Sequence, residues 1–187
     1  MSNLRENPFV THSSKIVYEN RWIKVREDQI THPSGSEGIY AYVEVKNSVI
    51  VVAMNDKNEI FLSRNFRYPV KEWGWELPGG GGETDEDIRE TARRELAEET
   101  GLASDDWQIL GKTLVWNGLA TEKQLSLLAR NVCETKRLES DDKDLIRDGQ
   151  FFSAAKIREM IQAGDICDNQ TLTALYLAKM YMEKEAK

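Results

Sequence analysis

Three glutamates near the middle of the chain have the residue type and the spacing of a metal-binding site. Glu95, Glu98 and Glu99 stand at positions i, i+3 and i+4, so in a helix their carboxylates converge on one patch. Clustered carboxylates repel one another, and Arg94 can offset part of this repulsion by pairing with Glu90 and Glu98. The pattern predicts an all-oxygen site of the kind that holds Mg²⁺ or Mn²⁺, with a solvated acidic helix face as the alternative.

The helix that must carry these three residues, the box glutamates, is predicted between Thr84 and Gly101. Thr84 is a suitable N-cap residue, the acids after it suit the helix dipole, and Gly101 is a natural stop. Ile88, Ala92 and Leu96 recur every four residues, so they form an apolar stripe that can pack on a core.

Four consecutive glycines, Gly79 to Gly82, stand ahead of this helix and follow Leu77-Pro78. Glycine runs often form plain flexible turns. Beside an acidic patch, however, bare backbone also allows phosphate and metal to approach the main chain closely. The sequence therefore indicates a glycine loop next to the box glutamates.

The combined pattern resembles the Nudix box. Gly80, Glu86 and the run RELAEETGL from Arg94 to Leu102 fill every defining position. The resemblance implies an α+β fold, an α/β/α sandwich with a mixed sheet, and hydrolysis of a nucleoside diphosphate linked to another group. Many short strands with a few helices agree with that fold class.

The resemblance also assigns roles within the box. Glu95 and Glu99 would be the main metal ligands, and Glu98 would be a further ligand or hold the attacking water. The carbonyl of Gly79 would complete a site for two or more Mg²⁺ or Mn²⁺ ions.

Segments outside the box resemble the ADP-ribose and nucleotide-sugar pyrophosphatase branch of the family. They read NFRYP at 65–69, WELPGG at 75–80 and GDICDNQT at 164–171. N-terminal strands in that branch exchange between protomers, so the resemblance implies a homodimer. Members that act on ADP-ribose often carry a proline after the box where this chain has Asn117-Gly118, so the nucleotide-sugar class is implied rather than ADP-ribose in particular.

Four residues ahead of the box are predicted to contact the substrate. Arg67 could bind the diphosphate or form a surface ion pair. Trp73 and Trp75 could stack on a nucleobase, with packing in the core as the alternative. Glu76 completes this predicted set.

The general base is predicted in a late acidic loop, as in the branch that the chain resembles. That stretch contains Glu139, Asp141, Asp142 and Asp144, of which Asp142 or Asp144 is favoured. Glu122 is a second candidate in an earlier loop. For each of these acids the alternative is a solvated loop residue.

Composition excludes several other classes of function. The chain of 187 residues has a net charge of −7, which argues against general binding to nucleic acid or acidic membranes. The two cysteines, Cys133 and Cys167, lack metal-type spacing, and no apolar run has the length of a signal peptide or membrane span. We expect reduced thiols, a cytoplasmic location and a small-molecule substrate.

The order of elements predicts two domains. Residues 1–46 form an N-terminal antiparallel β extension used for dimerisation, of which residues up to about 14 are poorly ordered, and residues 47–187 form the Nudix domain. Two other functions stay open: hydrolysis of a nucleoside triphosphate or dinucleoside polyphosphate, and a non-catalytic nucleotide sensor.

Overall fold

Twelve strands and three helices lie in the parts of the chain that the computed structural model describes, residues 6–82, 86–136 and 146–185. The chain divides into two compact units. The first consists of Met1–Lys46 and Leu114–Lys123, and the second of Asn47–Thr113 and Gln124–Lys187. The division of roles predicted from the sequence, with dimerisation in residues 1–46 and hydrolysis in 47–187, stays a prediction.

The first unit contains an antiparallel sheet of three strands, β1 (Val10–Glu19), β2 (Ile23–Thr31) and β3 (Glu37–Val45). The turn after β1 forms because Asn20 Oδ1 accepts hydrogen bonds from the N–H groups of Trp22 and Ile23, at 2.8 and 2.9 Å. The predicted N-terminal antiparallel sheet is confirmed. The expectation of poor order up to residue 14 was wrong after Val10, because pairing with β2 orders a polar stretch that has no strand pattern of its own.

A mixed four-stranded sheet forms the centre of the second unit, in the order β7-β4-β10-β9. Strand β4 (Ser48–Ala53) pairs in parallel with β10 (Lys123–Arg130) and antiparallel with β7 (Gly79–Gly81), and β9 is Asp106–Leu114. The continuous apolar run of β4 predicts burial on both faces, and residues 49–53 are all buried.

A second, antiparallel sheet has the order β12-β5-β6, formed by β5 (Ile60–Arg67), β6 (Glu72–Glu76) and β12 (Ile146–Phe152). The short strands β8 (Leu102–Ala103) and β11 (Cys133–Glu134) pair antiparallel with each other. The sequence pattern predicts the start of β5 and, at Phe151-Phe152, the end of β12, whereas the polar start of β12 becomes a strand through its pairing with β5.

Helices pack on both faces of β4. Helix α1 (Ile88–Thr100) covers the core cluster around Val49 and Val51, and α2 (Ala154–Ala163) and α3 (Asn169–Glu185) cover the cluster around Ile50 and Val52. Ser153 caps α2 and Gly164 ends it, as predicted. The α+β class with a mixed sheet between helices is confirmed. Within the described residues, no helix has the length and hydropathy to cross a membrane.

Candidate active site

Helix α1 begins at Ile88 because Asp87 caps its first turn. The Asp87 carboxylate accepts a hydrogen bond from the Arg89 N–H at 2.9 Å. The prediction of Thr84 as the N-cap residue was wrong, since several cap-forming residues stand in a row here and residue type does not choose among them. The helix ends as predicted at Gly101, whose φ of 68° is a left-handed conformation that glycine adopts without strain.

The apolar stripe of α1 fixes the rotation of the helix. Ala92 and Leu96 have no exposed surface, and Ile88 packs against the same core cluster. Because this face must point into the core, the box glutamates on the neighbouring face are turned to a defined direction. The stripe predicted from the sequence is confirmed.

Arg94 binds the two more N-terminal box glutamates. Its Nη1 donates hydrogen bonds to Glu95 Oε1 at 2.8 Å and to Glu98 Oε2 at 3.2 Å. Its Nε and Nη2 donate to the two carboxylate oxygens of Glu86, each at 3.0 Å. One guanidinium therefore orients three carboxylates at once.

The predicted pair between Arg94 and Glu90 was wrong, because Glu90 accepts a hydrogen bond from Arg93 instead. Glu86 takes its place at Arg94 and also accepts a hydrogen bond from Thr91 Oγ1 at 2.9 Å. This contact joins the stretch before α1 to the helix. Helical periodicity cannot predict it.

The glycine stretch forms strand β7 rather than a loop, and it presents backbone to two box glutamates. The Gly79 N–H donates a hydrogen bond to Glu99 Oε2 at 2.9 Å. A Cβ on Gly80 would lie 2.6 Å from the carboxyl carbon of Glu95, and a Cβ on Gly79 would lie 2.3 Å from the Val49 carbonyl oxygen. Gly79 needs to be glycine because a Cβ there would meet the backbone of β4, whereas a Cβ on Gly80 would push the Glu95 carboxylate aside.

The carboxylates of this cluster are poorly solvated. Burial of the carboxyl group, and after it the charge of Glu95, raise the pKa of Glu99 to about 8, while the Gly79 N–H opposes the shift. Glu99 as a whole residue is half-buried, so it is the carboxyl end that is poorly solvated. Burial also raises the pKa of Glu95, against the lowering effect of Arg94.

The residues present fit a divalent cation. Across residues 6–82, 86–136 and 146–185 no three His, Cys, Asp or Glu side chains are already gathered around a cation position. The donor set is nevertheless all oxygen, as hard cations prefer, and two of its carboxylates lie against bare glycine backbone. The pKa of Glu99 is raised first by burial of its carboxyl group and then by the charge of Glu95, and a bound cation would favour the ionised carboxylate against both effects.

Arg67 on β5 forms an ion pair with Glu76 on the neighbouring strand β6, and of the two side chains only that of Glu76 is buried. Arg67 Nε lies 3.0 Å from both carboxylate oxygens of Glu76. The Glu76 side chain is 5% exposed and the Arg67 side chain 58%. The hydrogen bonds to Glu76 raise the pKa of Arg67, with Asp168 and Glu99 adding to the effect. Arg67 is thus oriented by Glu76 while its guanidinium still reaches solvent.

Trp73 and Trp75 lie on the opposite face of β6 from Glu76, since side chains alternate along a strand. Trp75 packs edge-to-face on Phe152 with ring centroids 5.0 Å apart, and it contacts the core cluster around Ile50 and Val52. Trp73 is 36% exposed and has the Arg147 guanidinium 5.0 Å from its ring centroid. Base stacking by either residue stays a prediction.

The candidates for the general base belong to other segments of the chain than α1. Asp142 and Asp144 lie outside the described residues. Glu122 belongs to the first unit, where its carbonyl oxygen accepts a hydrogen bond from the Val115 N–H at 3.3 Å. Of the four residues predicted to be catalytic, only Glu98 lies on α1 with the metal-binding candidates.

A pocket of about 520 Å³ opens beside Glu99 at the carboxyl end of α1. It contains a feature that sequence reasoning missed: Ser63 on β5 is 1% exposed and lines the pocket. Nothing in the sequence signals this serine, because it stands in a plain strand and belongs to no motif.

The comparisons with known proteins agree with this geometry. The model of the NUDIX domain matches residues 45–172, and the model of the nucleoside diphosphate sugar hydrolase N-terminal domain matches residues 10–43. The chain is 28% identical to an ADP-ribose pyrophosphatase of Mycobacterium tuberculosis (strain ATCC 25618 / H37Rv), over 89% of this chain and 81% of that protein. It is 26% identical to a methanol dehydrogenase activator of Bacillus methanolicus, over 88% and 89% of the two chains. The crystal structure of an ADP compounds hydrolase superposes with a TM-score of 0.84 at 19% identity, over 95% of each chain.

A glutamate-rich helix behind a glycine strand, in an α+β sandwich, together with these matches defines a hydrolase that acts on pyrophosphate bonds. The NUDIX match spans well over half of the chain. The protein therefore belongs to the Nudix family, in the branch that the ADP-ribose and nucleotide-sugar pyrophosphatases form.

Proposed function

We propose that the protein hydrolyses the diphosphate bond of a nucleoside diphosphate sugar, ADP-ribose or another, to a nucleoside monophosphate and a sugar phosphate. One observation carries the proposal: the carboxylates of Glu95 and Glu99 lie against the backbone of Gly80 and Gly79, and burial together with the charge of Glu95 raises the pKa of Glu99. The match of residues 10–43 to the N-terminal domain of nucleoside diphosphate sugar hydrolases supports this substrate class.

Glu95, Glu98 and Glu99, with the Gly79 carbonyl, would hold two or more divalent cations, Mg²⁺ or Mn²⁺. When bound, such cations neutralise the charge of a diphosphate and lower the pKa of the attacking water.

The chain's own residues supply position and electrostatics. Arg94 keeps Glu95 and Glu98 in place through its hydrogen bonds of 2.8 and 3.2 Å. Arg67, held by Glu76 and still exposed, can donate to a phosphate oxygen of the substrate. Water adds to one phosphorus, the bridging P–O bond breaks, and a general base takes the proton from the water. Most of the rate would come from this arrangement rather than from covalent chemistry.

We place the general base in the loop from Glu139 to Asp144, on Asp142 or Asp144, because box glutamates that hold cations are poor proton acceptors. Replacing each acid of that loop by its amide should leave metal affinity nearly unchanged, and one replacement should lower turnover roughly a hundredfold. If all loop variants keep near-parental turnover while Glu122→Gln is inactive, the base lies in the earlier loop.

A substrate panel with Mg²⁺ tests the proposed reaction. ADP-ribose, ADP-glucose, UDP-glucose, nucleoside triphosphates and a dinucleoside polyphosphate are compared by phosphatase-coupled phosphate release, and products are identified by chromatography. We expect the highest kcat/KM with a nucleoside diphosphate sugar. A clear preference for a triphosphate or a dinucleoside polyphosphate contradicts the substrate class, and tight binding without hydrolysis points to a sensor.

We also propose that the protein is a homodimer through residues 15–45. The three-stranded sheet of the first unit leaves large apolar side chains exposed within that unit, among them Ile16, Tyr18, Trp22, Ile39 and Tyr40. Light scattering at micromolar concentration should give about twice the chain mass of 21.4 kDa. A mass near that of one chain rejects the dimer.

A further inference from the structure

The pocket beside Glu99 is built from one side of the β12-β5-β6 sheet, the carboxyl end of α1 and strand β11. Polar residues line much of it, namely Ser63, Glu99, Thr100, Glu134, Thr135, Arg147, Asp148 and Gln150. Its volume of about 520 Å³ is within the range of roughly 300 to 1,000 Å³ typical of small-molecule sites.

Ser63 is the unusual member of this lining. Its residue surface is 1% exposed, and its Oγ has no hydrogen-bond partner among the described residues. A buried hydroxyl without a partner is costly, so natural proteins rarely keep one unless water or a ligand satisfies it. Strand alternation points the Ser63 side chain to the same side as Phe61, toward α1 and the pocket.

A β-bulge in β12 forms the opposite wall. The register between β12 and β5 shifts between Arg147 and Gln150, and Asp148 has a φ of 52°. A Cβ on Gly149 would lie 2.4 Å from Phe61 Cζ, so the bulge passes close to the tip of that ring. Bulges of this kind often re-aim a strand beside a functional site.

The two aromatic rings at the pocket do not form a parallel pair between which a nucleobase could be held. Phe61 and Phe151 contact each other edge-to-face, with ring centroids 5.4 Å apart and planes at 76°. Hydroxyl, amide and carboxylate groups around a buried free hydroxyl instead suit a ligand with several hydroxyl groups of its own.

We infer that this pocket receives the sugar half of the substrate and that Ser63 Oγ hydrogen-bonds a sugar hydroxyl, which makes Ser63 a specificity-determining residue. The inference rests on the proposed function for the position of the diphosphate beside Glu99. The nucleoside half of the substrate would then bind to another surface. A substitution in this pocket should therefore change the preference for the sugar without changing the preference for the base.

The experiment compares Ser63→Ala with Ser126→Ala. Ser126 on β10 is a matched control because it is also fully buried, its Oγ also lacks a partner among the described residues, and it does not line the pocket. For wild type and both variants, kcat/KM is measured with ADP-ribose, ADP-glucose, UDP-glucose and the hexyl ester of ADP, which has no hydroxyl groups beyond the diphosphate. Each variant serves as its own folding control, since a misfolded fraction lowers all four values equally.

Ser63→Ala should lower kcat/KM for the sugar that the wild type hydrolyses best by about tenfold or more, and for the hexyl ester by less than about twofold. The ratio between ADP-glucose and UDP-glucose should not change, and Ser126→Ala should leave every ratio as in the wild type. An equal loss on sugar and hexyl substrates, no loss on either, or a changed ratio between the two bases overturns the inference.

A binding measurement separates this inference from the proposed function. Ribose 5-phosphate, glucose 1-phosphate and hexyl phosphate are titrated into the same three proteins by calorimetry. If the wild type hydrolyses no nucleoside diphosphate sugar but binds a sugar phosphate at least about tenfold more tightly than Ser63→Ala does, the proposed reaction fails and the sugar pocket stands. If hydrolysis occurs and both proteins bind sugar phosphates equally, the pocket assignment fails and the proposed reaction stands.

Discussion

Charge is arranged in opposite ways in the three-stranded sheet of the first unit and on helix α1 of the second. In the sheet each cation has one anion: Lys15 lies 2.7 Å from Glu27, and Lys24 lies 2.8 Å from Glu19. These side chains are between 26% and 63% exposed. On α1 a single arginine, Arg94, binds three glutamates whose side chains are 12% to 20% exposed.

The difference shows which charges have a purpose beyond folding. Exposed one-to-one pairs contribute less than about 1 kcal/mol each to stability, and their charges are already balanced. Poorly solvated carboxylates in excess raise their own pKa values and destabilise the ionised state until positive charge arrives. We therefore propose the site on α1 because its carboxylates are poorly solvated and share one arginine, and not because acids are numerous there.

The largest expected effect comes from replacing Glu99 on α1 by its amide, with the same replacement at Glu27 in the three-stranded sheet as the control. Glu99→Gln should keep the fold, because the side chain is isosteric, and lower kcat on the order of a thousandfold by removing a ligand of the cations. Glu27→Gln, which removes one anion from an exposed pair, should change kcat less than about twofold. Steady-state kinetics with Mg²⁺ measures both. If kcat of Glu99→Gln stays within a few-fold of the wild-type value, α1 does not hold the catalytic cations.

A smaller loss of turnover should follow from displacing the Glu95 carboxylate without removing it. A Cβ on Gly80 would lie 2.6 Å from the Glu95 carboxyl carbon, so Gly80→Ala must displace that carboxylate. Misplacement by about 1 Å can lower turnover up to roughly a hundredfold. Gly81→Ala is the matched control, because a Cβ there meets no atom within 4 Å. Similar kinetics for the two variants, at equal melting temperatures, would show that the Gly80 contact has no role.

The smallest effect concerns stability and pH. The pKa of Glu99 is raised from 4.5 to about 8, so the folded state keeps this proton where the unfolded state has lost it. Its contribution to the free energy of unfolding is therefore fully present below about pH 4.5 and is lost as the pH rises toward 8. Thermal melts of metal-free protein should show this decline, and Glu99→Gln should flatten it. Glu27→Gln should follow the wild-type curve; a wild-type slope in Glu99→Gln would contradict the assignment.

Residue patterns predicted α1 well because its information is local. The stripe of Ile88, Ala92 and Leu96 and the stop at Gly101 need only helical spacing and one residue that tolerates a left-handed conformation. The start of the helix was missed, because the choice of Asp87 over Thr84 depends on how the preceding segment runs.

Contacts that depend on tertiary pairing could not be predicted. The glycines of β7 have no side-chain pattern, and only hydrogen bonding along β4 makes them a strand. The pair between Arg94 and Glu86 crosses from the segment before α1 onto the helix. Ser63 lines a pocket to which five elements contribute, β5, α1, β8, β11 and β12, so its surroundings cannot be read from its own strand.

Calorimetric titration with Mn²⁺ tests most directly whether the carboxylates on α1 form a cation site. Metal-free wild type should bind Mn²⁺ saturably with release of protons near pH 7, and Glu27→Gln should bind it with the same affinity. The double variant Glu95→Gln/Glu99→Gln should lose that binding by about a hundredfold or more. Mn²⁺ binding of wild-type strength in the double variant would contradict the claim and place the metal elsewhere.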